Sequence, residues 1–462
     1  MALASSLVLG ACAVVQRPAG TAGLVAPPGR WSDPALATAT PTSLAAWWQS
    51  FGDPTLTALV AQALQANTDL RSAQAALRQA RAQRDVQAAS LAPTLGGSAS
   101  VQRSRAGGST ANRFQAGFDA GWEPDVFGGL AAGVAASEAD AQASAASLGA
   151  VQVSVAAEVA TTYVSLRGAQ QRLAIARENL DAQLETLQIA RWRQQAGLAS
   201  SLEVEQARAA AEQTRSQVPT LETTVAQAQN ALAVLTGELP GALQARLSPG
   251  GPIPQAGGAL ALAFPAETLR QRPDVRAAEL KVAAAAARTD AADAARRPGF
   301  QLGGSLGLSA LTLGSLTNGA SVVGALLGSV SLPLLDGGAA QARVRVQEAG
   351  LDAERIHYQA VVRGALQEVE DALVALQKRR ERLATLNAAA EAAANAALLA
   401  RQRQASGLVD FQVVLETQRT LLAAQDGVAA TTTDLATDHV RLYKALGGGW
   451  ASDPMTPTTS GT

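Results

Sequence analysis

Most informative segments of this chain occur twice. Asp69-Leu70-Arg71-Ser72-Ala73 opens a stretch that closes at Pro93, and Asp274-Val275-Arg276-Ala277-Ala278 opens one that closes at Pro298, with the same Asp-to-Pro spacing. Ala190-Arg191-Trp192-Arg193-Gln194-Gln195-Ala196-Gly197-Leu198 returns as Ala400-Arg401-Gln402-Arg403-Gln404-Ala405-Ser406-Gly407-Leu408. Trp122-Glu123-Pro124-Asp125-Val126-Phe127-Gly128-Gly129 returns as Ser331-Leu332-Pro333-Leu334-Leu335-Asp336-Gly337-Gly338. The offsets are about 205 to 210 residues, far above the roughly 20–50-residue periods of solenoids. One structural unit is duplicated, and any function must need it twice.

Within one copy, Asp53 is a good N-cap and Pro54 a good first residue for a helix running to about residue 91, which Pro93 ends. Strand patterns follow. Leu95, Gly97, Ala99 and Val101 alternate with polar or small residues, and Phe114, Ala116, Phe118, Ala120 and Trp122 alternate with Gln115, Gly117, Asp119, Gly121 and Glu123. Period two gives each strand an apolar and a polar face. The stretch from Arg105 through Gly107 and Gly108 reads as a loop between them. From about residue 131 to 196, Leu166, Leu173, Leu180 and Leu187 recur every seven residues, with Leu184 at the complementary position, a coiled-coil seam. Gly197-Leu198-Ala199-Ser200 interrupts it, and a returning helix at about 202–236 carries Val204, Ala211, Val218, Val225 and Leu232, with Leu221 and Leu235 at the other heptad position. Pro219 predicts a kink there and Gly237 a C-terminal cap.

The second copy predicts a helix at about 265–296, strands near 300–310 and 322–332, and a long helix at 338–406. A turn at Gly407-Leu408-Val409-Asp410 leads to a last helix on Val414, Leu421, Val428, Leu435 and Leu442. A helix of about 66 residues is roughly 100 Å long. The returning helix covers about half of that and the opening helix the other half, so each copy offers two full-length staves and two strands. The fold class is mainly α with a small β part, built as a duplicated unit of long coiled-coil helices plus four membrane-crossing strands. The repeats occupy residues 47–240 and 265–446, joined by a linker at 241–264 and followed by a disordered tail at 447–462.

Composition agrees. Of 462 residues, 48% are hydrophobic but only 3% aromatic, which suits long, closely packed helices better than a thick core. A net charge of -1 leaves no basic excess for nucleic acid. Mean hydropathy is +0.08, and no apolar run of about 18 residues is evident, so no helical membrane span is expected. The one cysteine, Cys12, follows Leu9-Gly10-Ala11 and the apolar residues 2–11. This resembles a bacterial lipobox, which makes residues 1–11 a signal peptide, Cys12 the lipidated residue and 12–46 a tether. Ala13, rather than Asp, follows the cysteine, and in bacterial lipoproteins that favours sorting to the outer membrane. A chance cysteine in a disordered N-terminus is the competing reading.

Four strands cannot close a barrel, and an open edge cannot face lipid. Closure must come from other copies. Phe114, Phe118 and Trp122 then suit lipid and its interface, while Asp119 and Glu123 suit a wet lumen. A soluble half-buried sheet is the alternative for the strands taken alone.

A set of motifs spanning about residues 47–446 resembles the outer membrane factor family, the TolC-like channels, and within it the lipoprotein branch serving multidrug efflux (OprM- and NodT-like proteins). They are Trp48-x-x-Phe51-x-Asp53-Pro54, Asn67-x-Asp69-Leu70, Trp122-Glu123-x-Asp125-x-Phe127-Gly128, Glu158-Val159-Ala160-x-x-Tyr163-x-x-Leu166-Arg167, Arg272-Pro273-Asp274-Val275-x-x-Ala278-Glu279, Leu332-Pro333-x-x-Asp336-x-Gly338 and Glu368-Val369-Glu370-Asp371-Ala372. The resemblance implies a homotrimer, an α-barrel/β-barrel channel of 12 strands and 12 helical staves. It also implies a periplasmic membrane fusion (adaptor) protein and an inner-membrane pump of the resistance-nodulation-division (RND) class as partners. The family's usual aromatic before the second long helix is absent, because Leu335 stands in Leu332-Pro333-Leu334-Leu335-Asp336-Gly337-Gly338.

The resemblance further implies that the interruptions at Gly197, Leu198 and at Gly407, Leu408 are periplasmic tips contacted by the adaptor, and that Asp410, Glu416 and Arg419 form the gate. Three copies of Glu416 would then ring the constriction with carboxylates, favouring cations. Gln412 stands where relatives carry an apolar constriction residue, and Gln206 replaces Glu416 in the first copy. An ordinary solvated i,i+3 pair is the other reading of Glu416 and Arg419. The runs Arg191-Trp192-Arg193-Gln194 and Arg401-Gln402-Arg403-Gln404 are either docking surface or helix ends whose cations suit the dipole. No catalytic set, cofactor motif or metal spacing is apparent. His357 and His439 are isolated, and no phosphate-cradling loop is followed by Lys. The chain reads as a passive exit duct rather than an enzyme. A channel for type I protein secretion is the close alternative, and a periplasmic coiled-coil adaptor or scaffold the alternative of another class.

Overall fold

The computed structural model describes residues 44–257 and 272–450. Cys12, the signal and tether segments up to residue 43, part of the linker with the start of the second repeat, and the tail beyond 450 lie outside the described residues. A 3-10 helix, Leu44–Phe51, leads into α1 (Pro54–Ala66), α2 (Thr68–Ala89), β1 (Thr94–Ala106), β2 (Ser109–Trp122), α3 (Gly129–Gln195), α4 (Ser201–Leu235) and α5 (Gln244–Leu247). Then come α6 (Pro273–Ala294), β3 (Gly299–Ala310), β4 (Val322–Ser331), α7 (Ala339–Ala405) and α8 (Phe411–Ala445). The long helices match residue for residue: α3 and α7 have 67 residues each, α4 and α8 have 35 each. The chain divides into two compact units, one containing residues 75–146 and 276–361, the other 147–257 and 362–450 with the flanking segments.

In the first unit the strands form one antiparallel sheet in the order β1-β2-β3-β4. The β1–β2 connection is tighter than the loop expected from sequence. Gly107 and Gly108 both take positive φ, 56° and 85°, the pair a two-residue hairpin turn demands. The two repeats meet at β2 and β3, where Gly117 pairs with Gly307. A Cβ at Gly117 would lie 2.9 Å from the Gly307 Cα, so neither residue tolerates a side chain there. The repeated motif before each long helix is a cap. Asp125 accepts from the Leu130 and Ala131 amides at 3.1 and 2.7 Å, and Asp336 accepts from Gly338 and Ala340 at 2.9 and 2.7 Å. These backbone donors hold the Asp336 carboxyl below its ordinary range. Phe127 packs on Phe300 with centroids 6.3 Å apart and lies under the Arg297 guanidinium at 5.3 Å. Leu335, where the family's aromatic is missing, is 95% exposed.

In the second unit the core gathers Trp47, Trp48, Phe51, Leu56, Leu59, Val159, Tyr163, Leu166, Leu232, Leu247 and Val440. Polar bonds position it. Asp53 caps α1 through the Thr55 and Leu56 amides at 2.8 and 3.0 Å and accepts the Tyr163 hydroxyl at 2.8 Å. The Arg167 Nε–H donates to that hydroxyl at 2.9 Å. The single helix expected over 54–91 is two. Asn67 has ψ 135°, and its Oδ1 accepts from the Asp69 and Leu70 amides at 2.9 and 3.2 Å, which starts a new helix. Pro219 lies within α4 without ending it.

Contrary to the expectation that no segment could span a membrane, α3 and α7 each contain an 18-residue window apolar enough to do so, with hydropathies of 1.3 and 1.2. The reason is alanine, which counts as apolar yet packs helices closely. The α3 window is 50% buried and the α7 window 17%.

Candidate functional site

The two hairpin tips have one backbone design. Gly197 and Gly407 take φ of 74° and 72°. The Gly197 N–H donates to Gln194 O at 2.9 Å and Leu198 N–H to Arg193 O at 2.7 Å. Their counterparts, Gly407 to Gln404 and Leu408 to Arg403, are 3.0 and 2.9 Å. This is the Schellman ending, which needs glycine because the left-handed conformation crowds a Cβ. It leaves Leu198 and Leu408 pointing outward, 70% and 74% exposed.

Behind the tips, Leu187, Ala190, Val204, Ala207, Phe411 and Leu415 form a small apolar core with Leu184 against it. A cavity of about 470 Å³ opens beside it, lined by residues that include Glu185, Arg193, Arg401, Gln404, Gly407 and Phe411. Phe411, Val414, Leu415 and Gln418 are buried on one side of α8. Gln412, Val413, Glu416, Arg419 and Thr420 share the exposed side. Glu416 and Arg419 face each other at 3.8 Å across one turn, 69% and 56% exposed. Asp410 precedes α8 as its N-cap residue but makes no side-chain cap bond. Gln206, the first-copy counterpart of Glu416, is half-buried.

Sequence reasoning missed a second feature of this region, a polar seam between α3 and α8. Arg172 donates to Asp426 through Nε at 2.6 Å and Nη2 at 3.0 Å, Asn179 to Gln425 at 2.8 Å, and Gln418 to the Thr186 hydroxyl at 2.9 Å. Residues 172, 179 and 186 keep strict heptad spacing one position before Leu173, Leu180 and Leu187. This polar row runs beside the leucine row in the same heptad register. Among the described residues, the side-chain amide oxygens (Oε1) of Gln183 and Gln418 are buried without a hydrogen-bond partner.

Phe114 is half-buried on the sheet, whereas Phe118 and Trp122 are 61% and 39% exposed. The Trp122 indole N–H donates to Leu91 O at 3.1 Å, which anchors the ring where the strand meets the helices.

Comparison with known proteins gives this arrangement its context. The family model described as "Outer membrane efflux protein" matches residues 59–238 and 264–448. The chain is similar to the toluene efflux pump outer membrane protein TtgF of Pseudomonas putida, with 30% identity over 89% of this chain and 87% of that protein. It is similar to the outer membrane protein OprJ of Pseudomonas aeruginosa, with 32% identity over 97% and 95%. Among solved structures, the outer-membrane channel OprN superposes with a TM-score of 0.84 at 35% identity, covering 92% of this chain and 99% of OprN. The chain belongs to the outer membrane efflux protein family, the TolC-like channels, and it is an efflux channel of the outer membrane of a Gram-negative bacterium, extending into the periplasm.

Proposed function

We propose that three copies of this chain close one continuous duct that passively carries small molecules from the periplasm to the exterior. The carrying observation is the pair of open sheet edges. Among the described residues β1 and β4 each pair on one side only, and β4 is exposed along its whole length. An unpaired edge is not stable in lipid. Joining β4 of one copy to β1 of the next gives three times four, twelve strands. The exposed apolar window of α7 supports the same assembly, since a neighbouring copy would cover it. Phe114, Phe118 and Trp122 face lipid, and Gln115 and Asp119 face the lumen. Lipidation at Cys12, after removal of residues 1–11, tethers the assembly.

The duct carries out no catalysis. Energy comes from an inner-membrane RND pump joined through a periplasmic adaptor protein, which docks at the tips around Gly197, Leu198, Gly407 and Leu408. The relatives named for efflux favour this over type I protein secretion. Asp410, Glu416 and Arg419 line the periplasmic gate, supported by their common exposure near the α8 start. Two measurements test this reading. Purified protein in detergent is expected to run as a trimer by light scattering and to conduct across a planar bilayer, and a monomer that passes no current overturns the duct. Glu416→Ala is expected to weaken cation preference in single-channel recordings. Unchanged selectivity removes Glu416 from the gate.

A further inference from the structure

The two hairpins of the sheet end in different chemistry. From residue 299 to 335 there is no charged side chain, so β3, β4 and their connection are neutral throughout. The β1–β2 hairpin carries three arginines close to its turn: Arg103, Arg105 and Arg113. Register assigns each to a face, because cross-strand partners share a side and neighbours alternate. Phe118 pairs with Gly97, Phe114 with Val101, Asn112 with Arg103 and Thr110 with Arg105. Arg103 and Arg105 therefore continue the row of Leu95 and Val101 on the aromatic face. Arg113 pairs with Gln102 and belongs to the opposite face, with Gln115 and Asp119. Across the aromatic face, Leu302 and Leu306 of β3 and Leu326 and Val330 of β4 extend the apolar surface. No acidic residue of β1 or β2 lies on that face.

Depth then becomes informative. Asn112, level with Arg103, is ten residues from Trp122 along β2. At about 3.4 Å per residue and a strand tilt of roughly 40°, ten residues climb about 26 Å. The apolar band of such barrels is about 25 Å tall. With Trp122 at the inner interface, where aromatic rings collect, Arg103 stands at the outer rim of the band and Arg105 about 5 Å beyond it. Both side chains are exposed. Two guanidinium forks at that depth, on the side away from the lumen, meet lipid headgroups.

We propose that Arg103 and Arg105 form a site for the phosphate groups of an outer-leaflet glycolipid of the lipid A class, one site on each copy. Guanidinium binds phosphate through paired N–H donors as well as by charge, and the lack of a carboxylate on this face leaves the cations available to an anionic headgroup. Because the neutral β3–β4 hairpins would separate the arginine pairs around the barrel, binding is discrete and not a continuous basic collar. The proposal rests on the trimeric barrel reading above.

Native mass spectrometry tests it, using the purified channel in phosphatidylethanolamine nanodiscs offered diphosphoryl lipid A or the same lipid stripped of its phosphates. The wild type is expected to retain roughly ten-fold more of the phosphorylated form. Arg103→Gln combined with Arg105→Gln is expected to abolish the preference. Arg113→Gln removes one like charge from the other face and is expected to keep it. Equal retention of both lipids by the wild type overturns the site, as does loss of preference in Arg113→Gln. Displacement of the bound lipid by millimolar inorganic phosphate also overturns it, in favour of a free-anion site. Planar-bilayer conductance of the same preparations separates the two readings. A wild type that forms no pore sinks the barrel and the lipid site together, whereas a conducting wild type that ignores the phosphates sinks the lipid site alone.

Discussion

The α3–α4 and α7–α8 hairpins have equal helix lengths and the same Schellman tip, yet their interiors are built from different chemistry. In the second hairpin, buried Asp438 accepts from Arg379, which also reaches Asp434 at 2.6 Å, and from Arg441 at 3.1 Å. His439 accepts from Arg380 at 3.2 Å and donates Nδ1–H to Leu435 O at 2.8 Å. Subtracting the 210-residue offset of the hairpins, the first has Ala169, Gln170, Ala228 and Gln229 at the positions of Arg379, Arg380, Asp438 and His439. Gln170 donates to Leu247 O at 2.7 Å, a neutral bond. The helix ends differ in the same sense. Asn67 Nδ2 donates to Leu235 O, the last residue of α4, at 3.0 Å. Arg272 Nη1 donates to Ala445 O, the last residue of α8, at 2.6 Å, and also binds Asp274 and Glu368. Duplication preserved the geometry of helix, turn and return, while at these aligned positions the first copy uses amides where the second uses ions; elsewhere the first hairpin keeps an exposed ion pair of its own, Arg177 with Glu222 at 2.6 Å.

Removing the charged joint is expected to have the largest effect. Arg272 is 7% exposed, and Arg272→Ala strands the Ala445 carbonyl and unpairs Asp274 and Glu368. Breaking a buried ion pair costs about 3–5 kcal/mol. The partly exposed partners bring the expectation to about 3 kcal/mol, read as a lower guanidinium midpoint in detergent with an unchanged slope. The neutral joint is expected to matter less. Asn67→Ala removes a cap and one carbonyl partner, about 2 kcal/mol in all. Equal losses from the two variants would dissolve the distinction between the copies.

Acid is expected to find the second copy. Burial lowers the His439 pKa most, the Leu435 carbonyl opposes this, and the Arg380 charge lowers it further. A histidine whose folded pKa lies below its unfolded value contributes fully above about pH 6.5, and that contribution is lost as pH falls through the folded pKa. Unfolding midpoints followed from pH 7.5 downward should decline less in His439→Gln, which installs the first copy's residue. Identical profiles would mean that folding does not lower the His439 pKa and that burial leaves the ring free to protonate.

How much of this was legible in sequence depended on whether the signal was periodic or a pairing. The leucine heptads, Gly197 and Gly407, and the alternation around Phe118 are local periodicities, and each maps to an element described above. Asn67 sits within the Asn67-x-Asp69-Leu70 motif, yet nothing in the motif marks it as a helix break. The break is made locally by its Oδ1, but the bond that fixes the amide, Nδ2–H to Leu235 O, reaches a carbonyl 168 residues away and has no local signature. Nor could heptads show that the α3–α8 seam is polar, since Arg172 and Asp426 meet across 254 residues. At the tips, the exposure of Glu416 and its i,i+3 pairing with Arg419 at 3.8 Å follow from helix spacing alone.

The smallest expected effect concerns the starts of α4 and α8, which tests whether the copies diverge even where their turns agree. Ser200 and Glu203 form a reciprocal capping box at 3.3 to 3.4 Å. Asp410, at the same place before α8, makes no side-chain cap bond. Ser200→Ala is expected to cost about 1 kcal/mol and to speed amide exchange in the first turn of α4. Asp410→Ala is expected to leave exchange at the start of α8 nearly unchanged, because no amide loses a partner. Equal acceleration at both would show that Asp410 caps α8 in solution, leaving its carboxylate occupied by its own helix instead of available to a gate.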